Sequence, residues 1–190
     1  MRIAFAEESL ESRSWTSMDE MMDHLSACDR GHVLLGEDAE QQNAFFSLEI
    51  RSGLSHTSSL GIGICSEGHG VTPQILLLPH KGQLLFGLNS EATSVSVKDR
   101  SVVYRIHLDW LFRDVIHVEE RGIILLFYEI GVIGIDEDGE QLWSCSTDMI
   151  ENGTLENAHL NLRFADSEPI VLDIRTGEEF EGTDKGDAAH

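Results

Sequence analysis

Residues 122–145 read Gly122-Ile123-Ile124-Leu125-Leu126-Phe127-Tyr128-Glu129-Ile130-Gly131-Val132-Ile133-Gly134-Ile135-Asp136-Glu137-Asp138-Gly139-Glu140-Gln141-Leu142-Trp143-Ser144-Cys145. This stretch decides the fold. Its apolar runs, 122–128 and 132–135, are too short for helices and are rich in branched residues. They therefore read as buried strands. The Asp138-Gly139 pair, flanked by strand residues, is a strong hairpin signal into a strand at 141–145. With 115–118 upstream, these segments form a run of antiparallel strands.

The same period extends outward in both directions. Residues 93–97 and 102–108 alternate apolar with polar side chains across the charged turn 98–101, so one face is buried and the other wet. Residues 74–78 and 83–88 form a hairpin across Pro79-His80-Lys81-Gly82. Earlier strands are expected at 33–35, 44–50 and 60–65, with 36–42 as an acidic turn and 51–59 as a polar connection. Later strands are expected at 160–164 and 170–174, followed by the turn Thr176-Gly177 and the segment Glu178-Glu179-Phe180. Only one helix is expected. Ser17-Met18-Asp19-Glu20 fits a capping box, Met18, Met21, Met22 and Leu25 form one apolar stripe, and Gly31 is the expected left-handed terminator.

The fold class that follows is α+β, mostly β. One N-terminal helix packs on a curved antiparallel sheet or a partly closed barrel or sandwich, and a β-meander occupies the C-terminal part. Residues 1–181 are expected to form a single domain, with 1–110 and 111–181 as the alternative division and 182–190 as a frayed tail. The phrase at 131–143 also resembles part of a blade of a quinoprotein-type β-propeller, with a fainter echo at 172–178. A propeller needs at least four blades of about 40 residues, and residues 1–60 do not repeat the phrase. The sequence therefore supports the local meander and not the propeller.

Charge narrows the function. The formal net is −21 over 190 residues, and it is unevenly spread. Residues 1–50 hold 11 acids against 3 bases and residues 121–190 hold 16 against 4, while 51–120 are almost balanced at 7 against 6. A field of this sign repels nucleic acid and anionic lipid and speeds encounter with basic proteins. The basic residues are dispersed, without the basic-aromatic interleaving of a nucleic-acid surface. The N-terminus turns acidic before any signal-peptide core develops, and no apolar run is long enough to span a bilayer. A cytoplasmic protein without membrane contact is expected.

Candidate chemistry is sparse. Cys28, Cys65 and Cys145 form no CxxC pair and read as buried free thiols. Residues 136–140 resemble the start of a calcium loop, but position twelve falls on Thr147, which has no carboxylate. The nine histidines make no HxH, HxxxH or HExxH group. His107 and His117 are candidates to face each other across neighbouring strands, with Glu119 nearby. Gly61-Ile62-Gly63 lacks the remaining spacing of a dinucleotide loop, and its glycines read as relief of crowding. No GxSxG elbow exists. The reading is of a non-enzyme without cofactor or metal.

A binding protein remains. The layout Ser14-Trp15-Thr16-Ser17, opening a helix that leads into strands at 33–35 and 44–50, resembles the start of bacterial polymorphic-toxin immunity proteins. That resemblance implies neutralisation of a basic nuclease or deaminase by direct binding. The candidate docking rim is Glu137, Asp138 and Glu140 with Glu178, Glu179 and Glu181, and a second edge is Glu37, Asp38 and Glu40. Trp15, Trp110 and Trp143 are candidate anchors but read first as core. The alternatives are an assembly module that pairs through exposed strands, and a cavity-containing enzyme or ligand carrier using His107, His117 and Glu119.

Overall fold

A computed structural model describes residues 2–5, 8–37, 41–52, 58–69 and 72–180. It is mostly β, with one α-helix and four sheets rich in antiparallel pairs. None of these sheets closes on itself among the described residues. The chain divides into two compact units, Met1–Arg113 and Asp114–His190.

The first unit opens with β1 (Arg2–Phe5), β2 (Glu8–Trp15), α1 (Met18–Leu25), β3 (His32–Leu35), β4 (Ala44–Ser52) and β5 (Ser58–Ser66). The strands form one sheet in the order β1-β2-β4-β5-β3, in which β3 runs parallel to β5. A four-stranded meander follows, β6 (Gln74–Leu78), β7 (Gln83–Leu88), β8 (Glu91–Ser96) and β9 (Ser101–His107).

Strand period two sets how this unit packs. On β5, Leu60, Ile62 and Ile64 join a core with Leu84, Phe86, Leu88 and Val95 of the meander. Gly61 and Gly63 point the other way, under α1. A Cβ on Gly61 would lie 2.6 Å from Leu25 Cδ2, and one on Gly63 would lie 2.8 Å from Leu25 Cδ1. The Gly-x-Gly phrase is thus a seat for the helix, whose Met21 and Leu25 are fully buried.

The helix is capped as its sequence requires, with two differences. Ser17 Oγ accepts from the Glu20 amide at 3.3 Å. The Glu20 carboxylate reaches back one residue further than a capping box, accepting from the Thr16 hydroxyl at 2.6 Å. Gly31 does not end the helix. The C-cap is Ser26, and Gly31, at φ +82°, closes the following turn by donating its amide to the Cys28 carbonyl.

The second unit contains most of β10 (Phe112–Val118), then β11 (Ile123–Tyr128), β12 (Gly131–Asp136) and β13 (Gln141–Ser146), another four-stranded meander. A three-stranded sheet of β14 (Ile150–Glu156), β15 (His159–Phe164) and β16 (Ile170–Asp173) completes it. Leu125, Phe127, Val132 and Trp143 share one core with Leu160, Leu162, Phe164 and Leu172.

The two meanders keep a common period of forty residues. The 3-10 turn Pro79–Lys81 recurs as Glu119–Arg121, each followed by a left-handed glycine, Gly82 at φ +61° and Gly122 at φ +62°. The register shift between Ser94 and Val95 recurs between Gly134 and Ile135. An internal repeat therefore exists where the sequence offered a single phrase.

Candidate functional site

The acidic hairpin tip is the turn between β12 and β13, and its backbone is fixed from within. Asp136 Oδ1 accepts from the amides of Asp138 at 2.9 Å and Glu140 at 2.8 Å. Gly139, at φ +86°, donates its amide to the Asp136 carbonyl. An Asx turn of this kind consumes the carboxylate locally. Asp138 and Glu140 are exposed. Glu137 is not on that rim. Its Oε1 lies 2.8 Å from His117 Nε2, and the two side chains are only 12% and 11% exposed.

The second acidic turn follows β16. Glu178 and Glu179 are exposed, with the Glu178 carbonyl accepting from the Asp173 amide and Glu179 bridging to Leu172. Trp143 joins this turn to the hairpin. Its indole Nε1 donates to the Ile174 carbonyl at 2.8 Å. Gly177, at φ +69°, lies against the ring so closely that a Cβ there would sit 2.6 Å from it. Burial, and then the charge of Glu179, push the Cys145 thiol up.

Glu37 is exposed and belongs to the first unit, where its carbonyl accepts from the Gln42 side chain at 2.8 Å. Asp38, Glu40 and Glu181 lie outside the described residues.

His107 and His117 are not on neighbouring strands of one sheet. His107 is exposed on β9 of the first unit, and His117 sits on β10 of the second, in a different sheet. The partner of His117 is Glu137, while Glu119 is exposed in the 3-10 turn. Trp110 is not core either, being 51% exposed. Trp15 is half-buried, donates to Ser47 Oγ at 2.9 Å and stacks on His24.

The three thiols are free, with Cys28 and Cys65 buried and Cys145 half-buried. Burial raises all three above the ordinary thiol value, so each is held as an unreactive thiol. Among the described residues, no three His, Cys, Asp or Glu side chains converge as metal ligands. No described helix is long and apolar enough to cross a membrane.

Sequence reading missed a chain of charges on the first unit's sheet. Arg13 bonds Glu11 at 2.8 Å, Arg51 reaches Glu11 at 3.5 Å and Glu49 at 2.8 Å, and His24 stands 3.8 Å from Glu49. Glu11 and Glu49 are direct cross-strand partners. Two carboxylates so placed would repel each other, and Arg51 between them offsets that repulsion. The hydrogen bond and charge of Arg51 hold the Glu49 carboxyl below the usual carboxylate range despite its burial. The signal was present as Glu11-x-Arg13 and Glu49-x-Arg51, but only the strand register joins the two halves.

No family model matches the chain, and no curated protein matches it. Among solved structures, it is similar to the hydrazine synthase of Kuenenia stuttgartiensis at 12% identity and TM-score 0.52, over 79% of this chain and 47% of that one. It spans about half of that chain's length, and the likeness is one of fold. The computationally designed Ika4 protein aligns at 15% identity and TM-score 0.49, over 63% of this chain and 76% of that one. A protein of unknown function from Bacteroides caccae aligns at 18% identity and TM-score 0.39, over 52% and 39%.

Proposed function

We propose that the chain is a binding protein for a cationic protein partner, an immunity-type inhibitor that covers the active site of a basic toxin enzyme of the nuclease or deaminase kind. The observation that supports this reading most is the fixing of two acidic turns around Trp143, which leaves Asp138, Glu140, Glu178 and Glu179 exposed on one unit. Leu142 and Phe180, 48% and 50% exposed, adjoin them in sequence and supply apolar area. Rim carboxylates act mainly on the association rate, and desolvated anchors act on dissociation. The same field disfavours nucleic acid and anionic membranes, and the site of action in this reading is the cytoplasm.

The test pairs the full chain with a basic toxin domain encoded beside its gene, followed by stopped flow at low and high salt. Reversing Asp138, Glu140 and Glu179 to lysine is expected to slow association at low salt about tenfold or more, and to change it little at high salt. An unchanged rate removes this surface from the interface. Failure of the folded chain to form any complex with such a domain removes the inhibitor reading itself.

A further inference from the structure

On β2, the core face of the five-stranded sheet carries Leu10, then Ser12 and Ser14, which stand directly opposite Leu48 and Phe46 of β4. Leu10 and Leu48 are buried in the core that this sheet shares with the meander. The two serines are too small to continue that core, and a cavity of about 510 Å³ opens beside them. Its apolar walls are Leu10, Phe46, Leu48 and Ile64 on one side and Ile75 and Leu77 of β6 on the other. Small-molecule sites occupy about 300–1,000 Å³, so it is of ligand size.

Charge and wetting point to the kind of occupant. In a chain with 34 acids and 13 bases, no described carboxylate lines the cavity. Arg13 and Ser47 border it, but strand alternation turns their side chains to the helix face. There Arg13 donates to Glu11 at 2.8 Å, and Ser47 accepts from Trp15 at 2.9 Å. A charge carried into the cavity would therefore meet no counter-charge, which is heavily penalised among apolar walls. Phe46, Ile75 and Leu77 pack against the core yet are only half-buried. An occupant that covers them removes apolar surface from water. We propose that this cavity binds an uncharged, predominantly apolar small molecule, with Ser12 and Ser14 as its polar margin. The site lies wholly in the first unit. Its success or failure is therefore independent of the acidic surface of the second.

The experiment is a fluorescence titration of the full chain with N-phenylnaphthylamine and with anilinonaphthalene sulfonate, the same ring system without and with an anionic group. Saturable uptake of the uncharged probe at one site is expected, with the sulfonate binding at least about tenfold more weakly. Decanol is expected to displace the uncharged probe at least about tenfold better than decyltrimethylammonium does. Ser12→Leu, which fills the cavity, is expected to weaken uptake about tenfold or more while the circular dichroism spectrum is retained. Arg13→Gln is expected to leave it within about twofold. No saturable uptake, equal binding of the two probes, a charged competitor as effective as decanol, a folded Ser12→Leu variant that binds as the parent does, or a large loss in Arg13→Gln would each overturn the proposal. If Ser12→Leu does not fold, the charge series and Arg13→Gln still decide it.

Discussion

The meanders β6–β9 and β10–β13 share the lengths of their two middle strands, a 3-10 turn and a register shift, yet they treat their last hairpin differently. In the first, the turn is Val97-Lys98-Asp99-Arg100, and Ser96 organises it. The Ser96 hydroxyl accepts from the Asp99 amide at 3.1 Å and donates to the Asp99 carboxylate at 2.8 Å. In the second, Asp136 stands forty residues on from Ser96 and holds a wholly acidic tip. Tyr104 of the first, which pairs with Ser94 as Trp143 pairs with Gly134, is half-buried, and Trp143 is 7% exposed. One scaffold thus presents a mixed-charge turn tied to Arg30, which donates to the Val97 carbonyl and accepts from Arg100, and an acidic turn beside Trp143, which donates to the Ile174 carbonyl. The difference lies in a few side chains and in a turn that is four residues long between Ser96 and Ser101 but three between Asp136 and Glu140.

The largest expected contrast is between Trp143→Ala and Tyr104→Ala. Trp143 fills the space against Gly134 and Gly177 and donates a buried hydrogen bond, so its removal should destabilise the second unit by about 3–5 kcal/mol. Tyr104→Ala, at a half-buried ring, should cost less, about 1–2 kcal/mol. Urea denaturation of each variant measures both, and equal losses would break the comparison.

Next in size are the turn residues. Asp136→Ala removes two charge-assisted acceptors and is expected to lower stability by about 1–3 kcal/mol, against about 1 kcal/mol for Ser96→Ala. Reversing that order in the same denaturation assay would mean that the two turns are not held as described.

The smallest effect concerns pH and sharpens the contrast between units. The folded-state pKa of Glu49 is depressed, chiefly by its bond to Arg51. A depressed carboxylate contributes stability that is present above its unfolded value and lost as pH falls through its folded one. Stability of the first unit should therefore decline on acidification below the usual carboxylate range. Glu49→Gln should flatten that decline when Tm is followed against pH. An unaltered slope would remove Glu49 from the account.

Most strands were legible because their evidence is local. Strands β6 and β7 fall at 74–78 and 83–88 as their alternation and the Pro79–Gly82 turn require. Strands β1, β2 and β14 were not legible. On β2, Leu10 is followed on the same face by Ser12 and Ser14, so apolar alternation breaks off along the strand. On β14, Asn152-Gly153 reads as a turn, but pairing with β15 overrides it, with a register shift at that point. The forty-residue repeat was hidden because Ser96 and Asp136 do the same structural work with different chemistry.

For the site, the acidic tip was legible as a hairpin, whereas the burial of Glu137 was not. His117 lies twenty residues away on another strand, and no spacing rule reaches it.

By itself, the amino-acid sequence determined the mostly-β character, the single capped helix, the Asp-Gly hairpin and the uneven negative charge. Each of these follows from side-chain period, backbone preference or simple counting over a few neighbouring residues. The tertiary structure alone decided that β3 joins its sheet in parallel, that Arg51 separates two facing carboxylates and that Glu137 turns inward to His117. It also decided that Trp143 holds two distant acidic turns. These depend on which strands lie side by side and in what register, which is settled by burying apolar faces across long sequence separations.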